Sequence, residues 1–144
     1  MIDMISMNAT DVRKDFSAVV DKAVREKPVF IRRTRDNLML ASLDFLEALV
    51  ENCDFTAERF FEADGSVTLS LDQIDLGVSA PTEPEAVAAL ANDLMEYAMD
   101  YYEHFATWST SPNRKGHLPY VLKVLITGDQ KKIGEMISCR DGAN

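Results

Sequence analysis

Ile5-Ser-Met-Asn-Ala-Thr-Asp-Val-Arg-Lys-Asp-Phe-Ser-Ala-Val-Val-Asp-Lys-Ala23 decides the reading of this 144-residue chain. Met4–Met7, at its start, is expected as a short strand. Asn8 has the compact polar side chain that caps a helix, and Asp11 places a carboxylate in the first turn, against the positive end of the helix dipole. Val12, Phe16, Val19, Val20 and Ala23 then recur at helical spacing as one apolar stripe. Pro28 stops that helix and holds Lys27 extended. Val29-Phe-Ile31 is β-branched and aromatic and lies within a strand expected over Pro28–Arg33. Thr34-Arg-Asp-Asn37 is the turn and Leu38–Ala41 the returning strand. Ser42 caps a second helix with Phe45, Leu46, Leu49 and Val50 on its apolar side. A hairpin this short, covered by one helix, buries too little apolar surface alone, so a second copy of the chain is expected to complete the core.

Charge is divided along the chain. Residues 1–37 hold eight Lys/Arg against six Asp/Glu, while residues 38–144 hold seven against eighteen, so a basic end precedes an acidic body within a net charge of −9. Local cations can neutralise phosphates even when the whole protein is acidic. The acidic part suits a basic protein partner, or equally a solvated surface that keeps the chain soluble.

Beyond Asn52–Ala57 a second pattern begins. Glu58–Glu62 and Val67–Leu71 flank Ala63-Asp-Gly-Ser66, a turn with Gly65 at a site suited to positive φ. Val67, Leu69 and Leu71 alternate toward one buried face, and Ile74–Val78 is a candidate third strand. Thr82 caps the longest helix, with Pro84 in its first turn. The pattern predicts that helix as far as Trp108, with a stripe of Val87, Leu90, Ala91, Leu94, Ala98, Tyr101, Phe105 and Trp108. An acidic stripe of Asp93, Glu96, Asp100 and Glu103 runs beside it. His117–Ile126 and Asp129–Ile137 are expected as two short helices separated at Gly128. The fold class is therefore α+β: a β-α-β-β-α module, then a β-hairpin and a mainly helical C-terminal region.

Three blocks, Ile5–Ala23, Lys27–Arg33 and Leu40–Leu49, resemble in order and spacing the N-terminal domain of Phd/YefM-type antitoxins. The resemblance implies that residues 1–52 dimerise and bind operator DNA, and that residues 55–144 bind a cognate toxin, with autorepression of the operon. It places a DNA-contacting Arg near the start of the first helix, matched by Arg13, and another at the end of the middle strand, where Arg32, Arg33 and Arg35 are candidates. Lys14 adds to this cluster, and Asn8 and Thr10 at the helix start are suited to phosphate. The competing reading is a solvated edge that discourages sheet aggregation. The run Glu58–Tyr102 also resembles the β-β-α part of HicB-like antitoxin domains, with Thr82-Glu-Pro-Glu-Ala86 leading the helix.

Met95, Tyr97, Met99, Tyr101, Tyr102, Phe105 and Trp108 exceed what one helix face can bury. Core packing accounts for most of them, and Tyr97, Tyr101, Phe105 and Trp108 are the candidates for a partner-binding surface. Catalysis is not expected, since the chain has no Gly-rich phosphate loop, GxSxG elbow or HExxH. No cofactor or metal is expected either, since His104 and His117 have no third ligand at fitting spacing. Cys53 and Cys139 are far apart, without CxxC spacing, and read as reduced thiols. No apolar run approaches the ~20 residues that span a bilayer, and the start lacks a signal-peptide pattern, so a cytoplasmic protein without membrane contact is expected. The alternative function is a stand-alone DNA-binding regulator or oligomeric adaptor with no toxin partner.

Overall fold

A computed structural model describes residues 1–143 and divides the chain into two compact units, Met1–Leu49 and the remainder from Val50. The first unit opens with a helical turn, α1 (Ile2–Ile5), where a strand was expected. Ser6 closes it by donating from its backbone N (3.0 Å) and its Oγ (2.6 Å) to the Ile2 carbonyl. The strand β1 is reduced to Met7–Asn8 and runs parallel to β2 (Val29–Arg33) in the register Met7↔Ile31, Asn8↔Arg32. Where backward extension of β1 was expected, Asp3 of α1 instead pairs with Arg32 of β2.

The expected continuous first helix breaks at Asp15. It becomes α2 (Ala9–Lys14) and α3 (Phe16–Arg25), and the Asp15 carboxylate accepts from Ala18 N at 3.4 Å as the cap of α3. Asp competes with the helix backbone for its own hydrogen bonds, so it starts helices better than it continues them. Val12, Val19 and Ala23 still pack on Val29 and Ile31, but the break leaves Phe16 exposed. The antiparallel strand β3 (Asp36–Leu40) pairs Arg33 with Asp36, so the turn is two residues, Thr34–Arg35, and not four. Thr34 has φ +55°, a conformation in which a β-branched residue is strained. Ser42 Oγ accepts from Phe45 N at 3.2 Å and caps α4 (Leu43–Leu49). Nothing in this unit covers Met4, Ile5, Phe16, Val24, Leu38, Met39 or Leu43.

The second unit is a four-stranded sheet, order β6-β5-β4-β7, with helices on one face. β4 (Phe55–Phe61) and β5 (Val67–Leu71) form the hairpin, with Gly65 at φ +89° in the turn, and β6 (Gly77–Ala80) adds antiparallel to β5. Thr82 Oγ1 accepts from Glu85 N and caps α5 (Glu83–Glu103). That helix also ends earlier than expected, at His104, whose ring Nδ1 lies 2.9 Å from the Asp100 carbonyl; α6 (Phe105–Trp108) follows as a separate turn. After a 3-10 turn, Lys115–His117, come α7 (Leu118–Thr127) and α8 (Gln130–Glu135), separated by Gly128 in the left-handed conformation.

The helix expected to reach Ile137 ends at Glu135, and a strand that the sequence pattern did not indicate follows: β7 (Ile137–Asp141) runs parallel to β4, with Phe55↔Ile137 and Ala57↔Cys139 in register. Arg59 on β4 fastens this strand. It donates to Asp141 and, at 2.8 Å, to Glu83 in the first turn of α5, and both carboxylates raise its pKa. On the opposite sheet face Arg140 pairs with Asp72 and Glu58. Arg140 and the Thr56 hydroxyl hold the Asp72 carboxyl below the usual range. Phe55, Leu69, Leu90, Leu94, Tyr101, Val121 and Ile133 are the fully buried centre of the unit.

Candidate functional site

Topology gathers the basic residues at one end of the first sheet. Because β1 and β2 are parallel with Asn8 beside Arg32, the start of α2 lies next to the end of β2. Asn8 therefore stands beside Arg32, with Thr10, Arg13 and Lys14 following in α2 and Arg33 and Arg35 following along the hairpin. Asn8 occupies the cap position in extended backbone, without a side-chain hydrogen bond, so its amide is uncommitted. Val29 and Ile31 face α2 and α3, which puts Arg33 on the helix side of the strand and Arg32 on the other.

The cations differ in their commitments. Arg32 is engaged by Asp3, and Arg33 donates to Asp36 Oδ2 at 2.9 Å across the hairpin. Lys14 stands 3.8 Å from Asp11, with both side chains mostly exposed. Arg13 in α2 and Arg35 in the hairpin turn are exposed and take no ion pair among the described residues. The strand does not continue to Arg35, so its position follows from the turn and not from strand alternation. An exposed pair such as Arg33–Asp36 is worth only ~0–1 kcal/mol, so a phosphate can displace the carboxylate.

In the second unit the four aromatic candidates come together, largely on one another. Tyr97 lies 6.0 Å from Trp108 and 6.1 Å from Tyr101, and Tyr101 is edge-on to Phe105 and Trp108. Arg114 sits 4.0 Å over the Trp108 ring, a cation–π contact, and His104 stacks on the same indole. Tyr101 is fully buried and its hydroxyl donates to the Arg114 carbonyl at 3.0 Å, so it has no surface to offer a partner. Tyr97 and Trp108 are half-buried, and Phe105 is the exposed member of the four. The Tyr97 hydroxyl is 2.6 Å from His117 Nδ1; burial raises both tyrosine pKa values, while burial and Arg114 lower that of His117.

Within α5, the aromatic and sulfur-bearing side chains most open to solvent are Met99 and Tyr102, beside the acidic residues. Of the four residues singled out from the sequence, Tyr101 is buried, Tyr97 and Trp108 are half-buried and Phe105 is exposed. The signal available was the spacing of Met99 and Tyr102, three residues apart on a face turned away from Leu90, Leu94 and Tyr101. No cluster of three metal-ligating side chains occurs among the described residues, and both cysteines are unbridged. No described helix is long and apolar enough to cross a membrane.

Comparison with known proteins was made on sequence and on fold. The sequence model of the PHD-like family, "Antitoxin of toxin-antitoxin, RelE / RelB, TA system", matches residues 2–139. Among solved structures, the chain is similar to a 1.80 Å crystal structure from Syntrophomonas wolfei subsp. wolfei, described as the antitoxin part of a proposed toxin/antitoxin system. The two share 36% identity and a TM-score of 0.88, over 95% of this chain and 99% of that one. No curated protein matches the chain.

Proposed function

From the premise that this chain belongs to the PHD-like family of toxin–antitoxin antitoxins, we propose that it neutralises a cognate toxin by direct, reversible contact and represses its own operon as a DNA-bound homodimer. The observation that carries the DNA half is the register that sets Asn8, at the start of α2, beside Arg32, with Arg13 and Arg35 exposed and uncommitted. Phosphate contacts from these residues, Lys14 and the hydroxyl or amide of Thr10 and Asn8 would set the register on the duplex. Arg33, and Arg32 if released from Asp3, are the forks that can read guanine edges. The uncovered apolar residues of the first unit favour a dimer, because so many large exposed apolar side chains on a small unit are normally buried against another chain.

Neutralisation falls to the second unit, which has its own core and an acidic surface. The action is binding energy without covalent chemistry, so the chain works as a non-enzymatic regulator. Purified full-length chain mixed with the toxin encoded beside it should form a stable complex and abolish the toxin's activity. The same chain should retard DNA from its own upstream region. A toxin that stays active and unbound would refute the neutralising role, and an unshifted promoter fragment would refute repression.

A further inference from the structure

The outward face of α5 has no role in the fold described so far. At 100° per residue, Met95, Met99 and Tyr102 fall on one strip of α5, and Asn92, Asp93, Glu96, Asp100 and Glu103 fall on the adjoining one. Met99, Tyr102, Glu96, Asp100 and Glu103 are exposed and turned away from the buried Leu90, Leu94 and Tyr101, while Met95 and Asp93 are half-buried at the margins. Met99 is 57% and Tyr102 64% exposed, high values for large apolar side chains on a helix whose other side forms a packed core. Asn92, Met95, Glu96, Met99 and Asp100 line a shallow depression of about 430 Å³ along the seam between the strips.

The acidic strip has no internal counterpart. α5 carries six carboxylates and no Lys or Arg in 21 residues. None of Asp93, Glu96, Asp100 and Glu103 makes an ion pair among the described residues; the Asn92 amide donates to Glu96 at 3.3 Å. Asp93–Glu96, Glu96–Asp100 and Asp100–Glu103 are like charges at three- and four-residue spacing, which repel. Asp100 and Glu103 also lie in the last turn, where the helix dipole disfavours anions. The pattern works against the helix that bears it and is relieved only by cations from outside.

We infer that this two-strip face of α5 is where the cognate toxin docks, through a basic surface element that seats an apolar side chain between Met99 and Tyr102 and sets Lys or Arg against Glu96, Asp100 and Glu103. The inference rests on the antitoxin reading above. Charge complementarity selects a basic occupant over a second copy of this face, which would oppose carboxylate to carboxylate. Met and Tyr suit such a seat because one adapts its shape and the other presents a large rigid face.

The test uses full-length chain and the purified toxin encoded beside it, with binding measured by interferometry at 100 and 500 mM NaCl. Met99→Ser with Tyr102→Ser should weaken binding at least about tenfold, as loss of central apolar anchors does. Glu96→Gln with Asp100→Asn and Glu103→Gln should weaken it at 100 mM and flatten its salt dependence, while leaving the melting temperature unchanged or raised. A merely structural role for these carboxylates would lower it. Ala88→Gln, in the separate groove between α5 and α8, should leave affinity unaltered. If wild-type chain binds toxin but both ridge variants bind as tightly with the same salt slope, the docking face is overturned and the antitoxin reading survives. It is also overturned if the ridge variants change self-association instead, or if Ala88→Gln alone abolishes binding. If wild-type chain binds no toxin, the neutralising role itself fails.

Discussion

Removing Arg13 and Arg35 together is the sharpest probe of the DNA face, because neither side chain supports the fold. Both are exposed, neither takes an ion pair, and a surface substitution of this kind shifts stability by no more than about 0.5 kcal/mol. In a homodimer Arg13→Ala with Arg35→Ala removes four cations. Each phosphate neutralised contributes about 0.9 to the slope of log affinity against log salt, so the double variant should lose about 3.6 from that slope. Between 50 and 200 mM salt, wild-type affinity for the upstream fragment should therefore fall about 150-fold more than that of the variant. Fluorescence anisotropy with a labelled promoter duplex, repeated at five or six salt concentrations, reads the slope directly. Parallel lines for the two proteins would place the phosphate contacts elsewhere and refute the assignment. Adding Arg33→Ala then asks whether the hairpin pair with Asp36 opens for DNA: a further drop in slope means that it does.

Three further outcomes concern the scaffold. Tyr101→Phe leaves the Arg114 carbonyl without its buried donor and should cost about 1–2 kcal/mol, read as a melting midpoint lower by several degrees; an unchanged midpoint would count against that bond. Burial and Arg114 depress the His117 pKa, so the unfolded chain takes up this proton first as pH falls. The stability from neutral His117 is then complete above about pH 6.5 and lost as pH drops toward the folded value, and denaturation of His117→Gln should show a shallower decline from pH 7 to 5. Parallel curves for variant and wild type would sink this account. Thr34→Gly should stabilise the first unit by about 0.5–1 kcal/mol in urea titration, since relief of the left-handed conformation outweighs glycine's greater freedom when unfolded; a net loss would argue against strain at the turn.

What could be read from the chain alone was whatever depends on a few neighbouring residues. Ser42 and Thr82 cap helices because the accepting oxygen and the donating amide are three residues apart. Gly65 and Gly128 mark left-handed positions, and Val67, Leu69 and Leu71 alternate into the core. The break at Asp15 was also local, but the apolar stripe continued across it and concealed the new cap. β7 could not be read this way. Ile137–Asp141 is a strand because β4, about eighty residues earlier, offers a parallel edge and Arg59 anchors its end at Asp141.

The candidate sites divide along the same line. Composition by itself located the basic end, the acidic remainder and the surplus of aromatic and Met residues on the long helix, since these are counts along a chain. Which arginines are uncommitted was decided by Asp3 and Asp36, carboxylates brought to Arg32 and Arg33 by pairing of strands and by α1. Tyr101 and Tyr102 are adjacent in sequence and chemically identical. One is sealed in the core and the other stands in solvent, because the sheet and α7 press on one side of α5 only, and that side is chosen by packing across the whole unit.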